Sequence, residues 1–227
     1  MYGIDIYYLT LIIPAMILTI IAQVKVKSAY RKYSEVYSSR GYTAADITRR
    51  ILDDNGLHQI SIQHVAGELT DHYDPQAGVI RLSDSVINSS SVAAIGVAAH
   101  EAGHAIQRKE RYAPIEVRNS ILPVVQLSSR IGLPLAFIGL IFGLSPLVKV
   151  GIILFSAVVL FQLITLPVEL DASRRAIKTL SENAYLEGEE LTGAKKVLTA
   201  AAMTYLAAAI VAVMNLIRLI LLSRSRD

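Results

Sequence analysis

Three apolar stretches and one polar stretch divide the chain. No charged residue interrupts Ile6 to Val24, long enough as a helix to cross a hydrocarbon core of roughly 30 Å. Ile131 to Leu170 carries only Lys149 and Glu169 as charges and is too long for one straight span. It is broken at Ser145-Pro146, which predicts two spans in a hairpin. Thr199 to Leu222 holds only Arg218 and makes a fourth span. Between Ser28 and Arg118 the pattern is that of a small polar domain. Thr43-Ala-Ala-Asp46 resembles a helix capping box leading into Ile47 to Leu52, which Asn55-Gly56 ends. Gln59 to Val65 and Gly78 to Leu82 read as two short strands joined by a turn at Asp74-Pro75-Gln76-Ala77. Asn88, Ser89 and Ser90 offer capping side chains ahead of a helix over Val92 to Arg108.

Composition fits membrane spans: 53% of residues are hydrophobic and 18% charged, against about 25% charged in soluble proteins. The formal net charge of +3 does not point to nucleic acid, because the basic residues gather at the edges of the apolar runs. Lys25, Lys27, Arg31 and Lys32 follow the first span, which only Asp5 precedes as a charge. By the positive-inside rule, residue 25 onward is cytoplasmic. Lys149, Arg218, Arg224 and Arg226 then lie outside, against seventeen Lys and Arg in 25–118 and 169–196. No basic residue precedes the first run and no small-residue cleavage site follows it, so it reads as an uncleaved anchor. The chain has no cysteine, so a metal must sit on His, Asp or Glu.

His100-Glu101-Ala102-Gly103-His104 places two imidazoles at i and i+4 on one helical face, where one zinc ion can bridge them. Glu101 stands about 100° around that helix, suited to act as general base on a water at the metal. Ala98, Ala99, Ala102, Gly103, Ala105 and Ile106 make the surroundings small and apolar. Two histidines and a glutamate left unengaged there would be costly to desolvate, which argues against mere packing.

A catalytic zinc takes a third protein ligand. The hairpin returns the chain to its starting face and brings Glu169 and Asp171 back beside the metal helix. Glu169 is the first choice, at the end of an apolar span where a metal partner would stabilise it. Asp171 is the alternative ligand, or the support of a ligating histidine. Both acids could instead pair with Arg174, Arg175 or Lys178.

The run His100-Glu101-Ala102-Gly103-His104-Ala105-Ile106-Gln107, the upstream Leu69-Thr-Asp-His-Tyr-Asp-Pro75 with Ile80-Arg-Leu-Ser83, and Val168-Glu-Leu-Asp-Ala-Ser-Arg-Arg-Ala176 together resemble the YugP-like family of bacterial membrane zinc metallopeptidases. The resemblance spans nearly the whole chain. It implies a multi-pass bacterial membrane protein with a zinc peptidase site, similar in plan to the HtpX-like and prenyl-protein endopeptidases. It also implies His100 and His104 as ligands and Glu101 as base. The HtpX-like pattern has an Asp four residues after the ligand Glu. Here Ser173 stands in that position and Asp171 comes two residues after Glu169, so either the supporting contact is rearranged or Asp171 takes the ligand's place.

The expected fold is a mainly α membrane protein of about four transmembrane helices with a small zincin-like α+β domain. Its parts are a first span at 1–24, a cytoplasmic domain at 25–118 with the metal helix at about 92–108, a transmembrane hairpin at 119–168, a cytoplasmic segment at 169–198 and a last span at 199–222. The expected activity is hydrolysis of peptides or membrane-protein segments with one zinc ion, in contact with the lipid bilayer. Gly78 to Leu82 is placed as an edge strand for substrate backbone, and His72 or Tyr73 as an oxyanion donor or substrate contact. Two other readings remain: an intramembrane protease of site-2 type using Asp171, and a non-catalytic membrane scaffold with structural zinc.

Overall fold

A computed structural model describes residues 6–224; Asp5 and Arg226, which entered the charge count, lie outside it. The chain is mainly helical with one small sheet. After a π-helical turn at Tyr8–Ile12 come α1 (Ile13–Ser34), α2 (Ala44–Asp54), β1 (Ser61–Val65), β2 (His72–Asp74), β3 (Val79–Ser83), α3 (Val92–Lys109), α4 (Ala113–Phe142), α5 (Ser145–Glu182) and α6 (Gly188–Arg224). The wide opening turn has a local cause. Pro14 offers no N–H to the Thr10 carbonyl and its ring crowds that carbonyl. Four helices, Tyr8–Ser34, α4, α5 and α6, are long and apolar enough to cross a membrane.

The chain forms two compact units. The first comprises the described parts of residues 1–23, 113–167 and 204–227. Its α4 and α5 meet through small residues. A Cβ on Gly139 would lie 2.7 Å from the Val148 nitrogen, and one on Gly151 would lie 2.6 Å from the Ala136 nitrogen. Close backbone approach of this kind is how helices associate where burial from water supplies no drive. Large apolar side chains such as Ile17, Ile20, Ile138, Ile153 and Leu163 remain exposed around these helices, as lipid-facing positions require. Arg218 lies over the rings of Tyr8 and Phe137, 5.1 and 5.3 Å from their centroids, so the π faces offset part of the cost of a charge in an apolar helix.

The second unit, residues 24–112 and 168–203, is built around α3. Helix α2 starts with the full capping box read from the sequence: Thr43 accepts from the Asp46 N–H while Asp46 accepts from the Thr43 N–H. Its buried face, Ile47, Ile51 and Leu52, joins Ile80, Leu82, Val92, Ile95, Leu180 and Leu186 in one core. Ser91, one residue beyond the expected caps, closes the first turn of α3 by accepting from Ala94 N–H. Ser89 instead bonds Ser91.

The sheet corrects the sequence reading. Its order is β1-β3-β2, with β1 parallel to β3 and β2 antiparallel to β3. The turn at Asp74 is present, with its carboxylate accepting from Gln76 and Ala77 N–H and Gly78 at φ +66°, but it joins β2 to β3. The two strands seen in the sequence therefore run parallel and form no hairpin. The three residues of β2 were too few to show alternation. Because β3 is central and buried along its length, Gly78 to Leu82 cannot serve as an edge for substrate. Among the described residues the edges are β1 and β2.

Candidate metal centre

Helix α3 is almost wholly buried, and its small residues let other helices reach its backbone. A Cβ on Gly96 would meet Ala194 of α6 at 3.3 Å, and one on Gly103 would lie 2.7 Å from the Ala172 carbonyl oxygen of α5. Gly103 lies between the two histidines in sequence, and Ala172 lies between Glu169 and Ser173. The close crossing therefore sets α5's polar groups against the imidazoles.

His100 and His104 pack edge to face, ring centroids 4.7 Å apart. Glu169 Oε2 lies 3.2 Å from His100 Nε2 and 3.5 Å from His104 Nε2. Among the described residues, His100, His104 and Glu169 are the group whose ligand atoms all fall within 4.8 Å of one another. Asp171 is not part of it.

The far side of each ring is also held. Ser173 Oγ lies 3.1 Å from His100 Nδ1, so one turn of α5 offers a carboxylate to one nitrogen of this ring and a hydroxyl to the other. Gln107 Oε1 lies 3.0 Å from His104 Nδ1. The Gln107 amide nitrogen donates to Val168 O at 2.8 Å and Asp171 Oδ2 at 2.9 Å. Two acceptors on the amide nitrogen point the amide oxygen at His104, which must then carry its proton on Nδ1. Its Nε2 faces Glu169. Two imidazole nitrogens and a carboxylate oxygen converging while their outer atoms are hydrogen-bonded is the donor set that suits zinc.

Burial alone would push the His104 pKa down, but the Glu169 hydrogen bond and the charges of Glu101 and Glu169 raise it above the ordinary imidazole value. A carboxylate packed against two imidazoles calls for a cation among them, a proton or a metal.

Glu101 is buried and accepts the Tyr73 backbone N–H on Oε2 at 2.9 Å. Tyr73 thus joins the site through its main chain. His72, in contrast, is engaged on both ring nitrogens, by the Thr70 carbonyl and by Arg81. Asp171 accepts from Arg175 Nε at 2.5 Å as well as from Gln107, and Arg175 reaches on to Glu110. Asp171 is thus ion-paired with Arg175 and touches Gln107, the residue beside His104 Nδ1.

Sequence reasoning gave no role to Gln107, Ser173 or the Gly103 crossing. Each had a signal: Gln107 is three residues from His104, Ser173 four from Glu169, and Gly103 is a glycine inside a helix. Gly103→Ala is expected to cost about 1–3 kcal/mol through overpacking. It should also lower the metal content of the protein with His100, His104 and Glu169 unchanged, because the methyl group must displace α5. Thermal unfolding and metal content check this; wild-type values for both would contradict the crossing's role.

A family model described as "Putative neutral zinc metallopeptidase" matches residues 8–224. The "Putative membrane protease YugP" of Bacillus subtilis (strain 168) is 47% identical over 216 residues, covering 95% of this chain and 96% of that protein. No solved structure matches the chain. A match that spans all four long apolar helices together with the His100, His104 and Glu169 group leaves one assignment: the chain belongs to the neutral zinc metallopeptidase family.

Proposed function

We propose that the chain is a multi-pass membrane endopeptidase that hydrolyses peptide bonds with one zinc ion held by His100, His104 and Glu169. The observation that carries this reading is the convergence of both Nε2 atoms on Glu169 Oε2 while Ser173 and Gln107 hold the two Nδ1 atoms. Zinc bound there would supply Lewis acidity to the scissile carbonyl and to the attacking water. Glu101 is the base. Its Oε2 is held by Tyr73 N–H, which leaves Oε1 to take a proton from water and later deliver it to the leaving amine nitrogen. Residues 25–112 and the ends of α5 and α6 act as a zincin-like catalytic domain. The concentration of basic residues in 25–118 and 169–196 supports a cytoplasmic site. Substrates are peptides or segments of membrane proteins that reach that face.

The test is metal-dependent proteolysis by the purified, full-length protein in detergent or lipid. The expected result is about one zinc per chain, loss of cleavage of an unstructured protein on chelation, and recovery when zinc is returned. Cleavage that persists at full rate in the metal-free protein would overturn the reading.

A further inference from the structure

Outside the metal centre, the second unit contains a groove of about 940 Å³ lined by α1, the 66–71 loop and the 84–90 turn. Its α1 wall is ordered by charge. Val24 ends the apolar run, Lys27 and Arg31 follow one turn apart, and Glu35 comes just past Ser34, the last residue of α1, all lining the groove. Positions i and i+4 share a helix face, so the wall passes from apolar to cationic along α1 and becomes anionic where the helix ends. Facing it, the loop contributes the exposed Leu69, held at φ +55°, beside Glu68. The side chains of Tyr30 and Ser85, bonded to each other at 3.2 Å, line the same space with Ser28, Ser34 and Ser89. Among the described residues, Lys27, Arg31, Glu35 and Glu68 form no ion pair with one another.

We propose that this groove binds an aminophospholipid, with its acyl chains toward Val24 and Leu69, its phosphate on Lys27 and Arg31, and its primary ammonium on Glu35 and Glu68. The sequence of tail, anion and cation in such a lipid matches the sequence along this wall. Arg31 stands in the last turn of α1 and Glu35 just past its end, so the phosphate and the amine of one headgroup meet neighbouring side chains. The hydroxyl groups can bond phosphate and glycerol oxygens. Val24 closes a run able to span the bilayer, and Lys27 lies one turn beyond it, the depth of a headgroup. An anionic lipid without an amine would leave the two carboxylates facing its phosphate. A lipid with a quaternary amine would offer them no hydrogen-bond donor.

Native mass spectrometry of the full-length protein in detergent tests this, using phosphatidylethanolamine, phosphatidylcholine and phosphatidylglycerol of identical acyl chains. The expected order is phosphatidylethanolamine retained above both others. The double substitution Lys27→Gln with Arg31→Gln should lower its retention about tenfold or more. Glu35→Gln with Glu68→Gln should abolish the preference over phosphatidylglycerol. All four positions are solvent-exposed, so the variants should fold, and a wild-type thermal unfolding transition confirms it. Equal retention of the three lipids, a wild-type preference for phosphatidylglycerol, or retention unchanged in both double variants would each overturn the proposal. So would displacement of the lipid by peptide substrate, which would make the groove a substrate channel. The outcome is independent of the peptidase reading, since Glu101→Gln should retain the lipid as the wild type does.

Discussion

Glu101→Gln is expected to keep its zinc and lose about a thousandfold in peptide hydrolysis, within the 10²–10⁴ range of a positioned acid–base group. The substitution preserves shape, and the glutamine oxygen can still accept the Tyr73 N–H that now bonds Glu101. What disappears is a carboxylate able to bind and release a proton. Because Glu101 stands outside the group formed by His100, His104 and Glu169, metal content should not change. Turnover and zinc stoichiometry measured on the same preparation separate the two effects. A variant with full turnover would remove Glu101 from the chemistry, and one that lost its zinc would place it among the ligands.

Glu169→Ala should instead empty the site. The carboxylate is buried on α5 and meets both imidazole Nε2 atoms. Without it two histidines remain, fewer than a catalytic zinc retains. Asp171→Ala provides the internal comparison. Asp171 reaches His104 only through Gln107, and removing such an outer partner lowers metal affinity about 10–100-fold. The loss at Glu169 should exceed that range, as measured by zinc titration with a competing chelator. Zinc retained in Glu169→Ala but lost in Asp171→Ala would assign the third ligand to Asp171 and favour the intramembrane alternative.

The features legible in the sequence were those with a short, regular signature. Uninterrupted apolar runs announced the four long helices. Thr43 and Asp46 announced the cap of α2, and the spacing of His100 and His104 announced a pair on one face. Glu169 could be singled out because a carboxylate at the end of an apolar run needs a partner. The sheet was misread where its signal was weakest: β2 is three residues long, and nothing local distinguishes a parallel from an antiparallel neighbour for β1. Gln107 and Ser173 stayed silent for another reason. Their roles depend on the approach of α3 to α5, set by Gly103 against Ala172, and that distance cannot be read from either segment alone.

The two histidines are backed by an amide oxygen and a hydroxyl, both uncharged. A carboxylate in either place would push electron density through the ring and make the imidazole a stronger donor. Neutral backing would give up some grip on a cation bound there and leave it more electron-poor. The affinity forgone in this way would favour a more electrophilic centre, one better able to draw electrons from an amide carbonyl on the proposed reading.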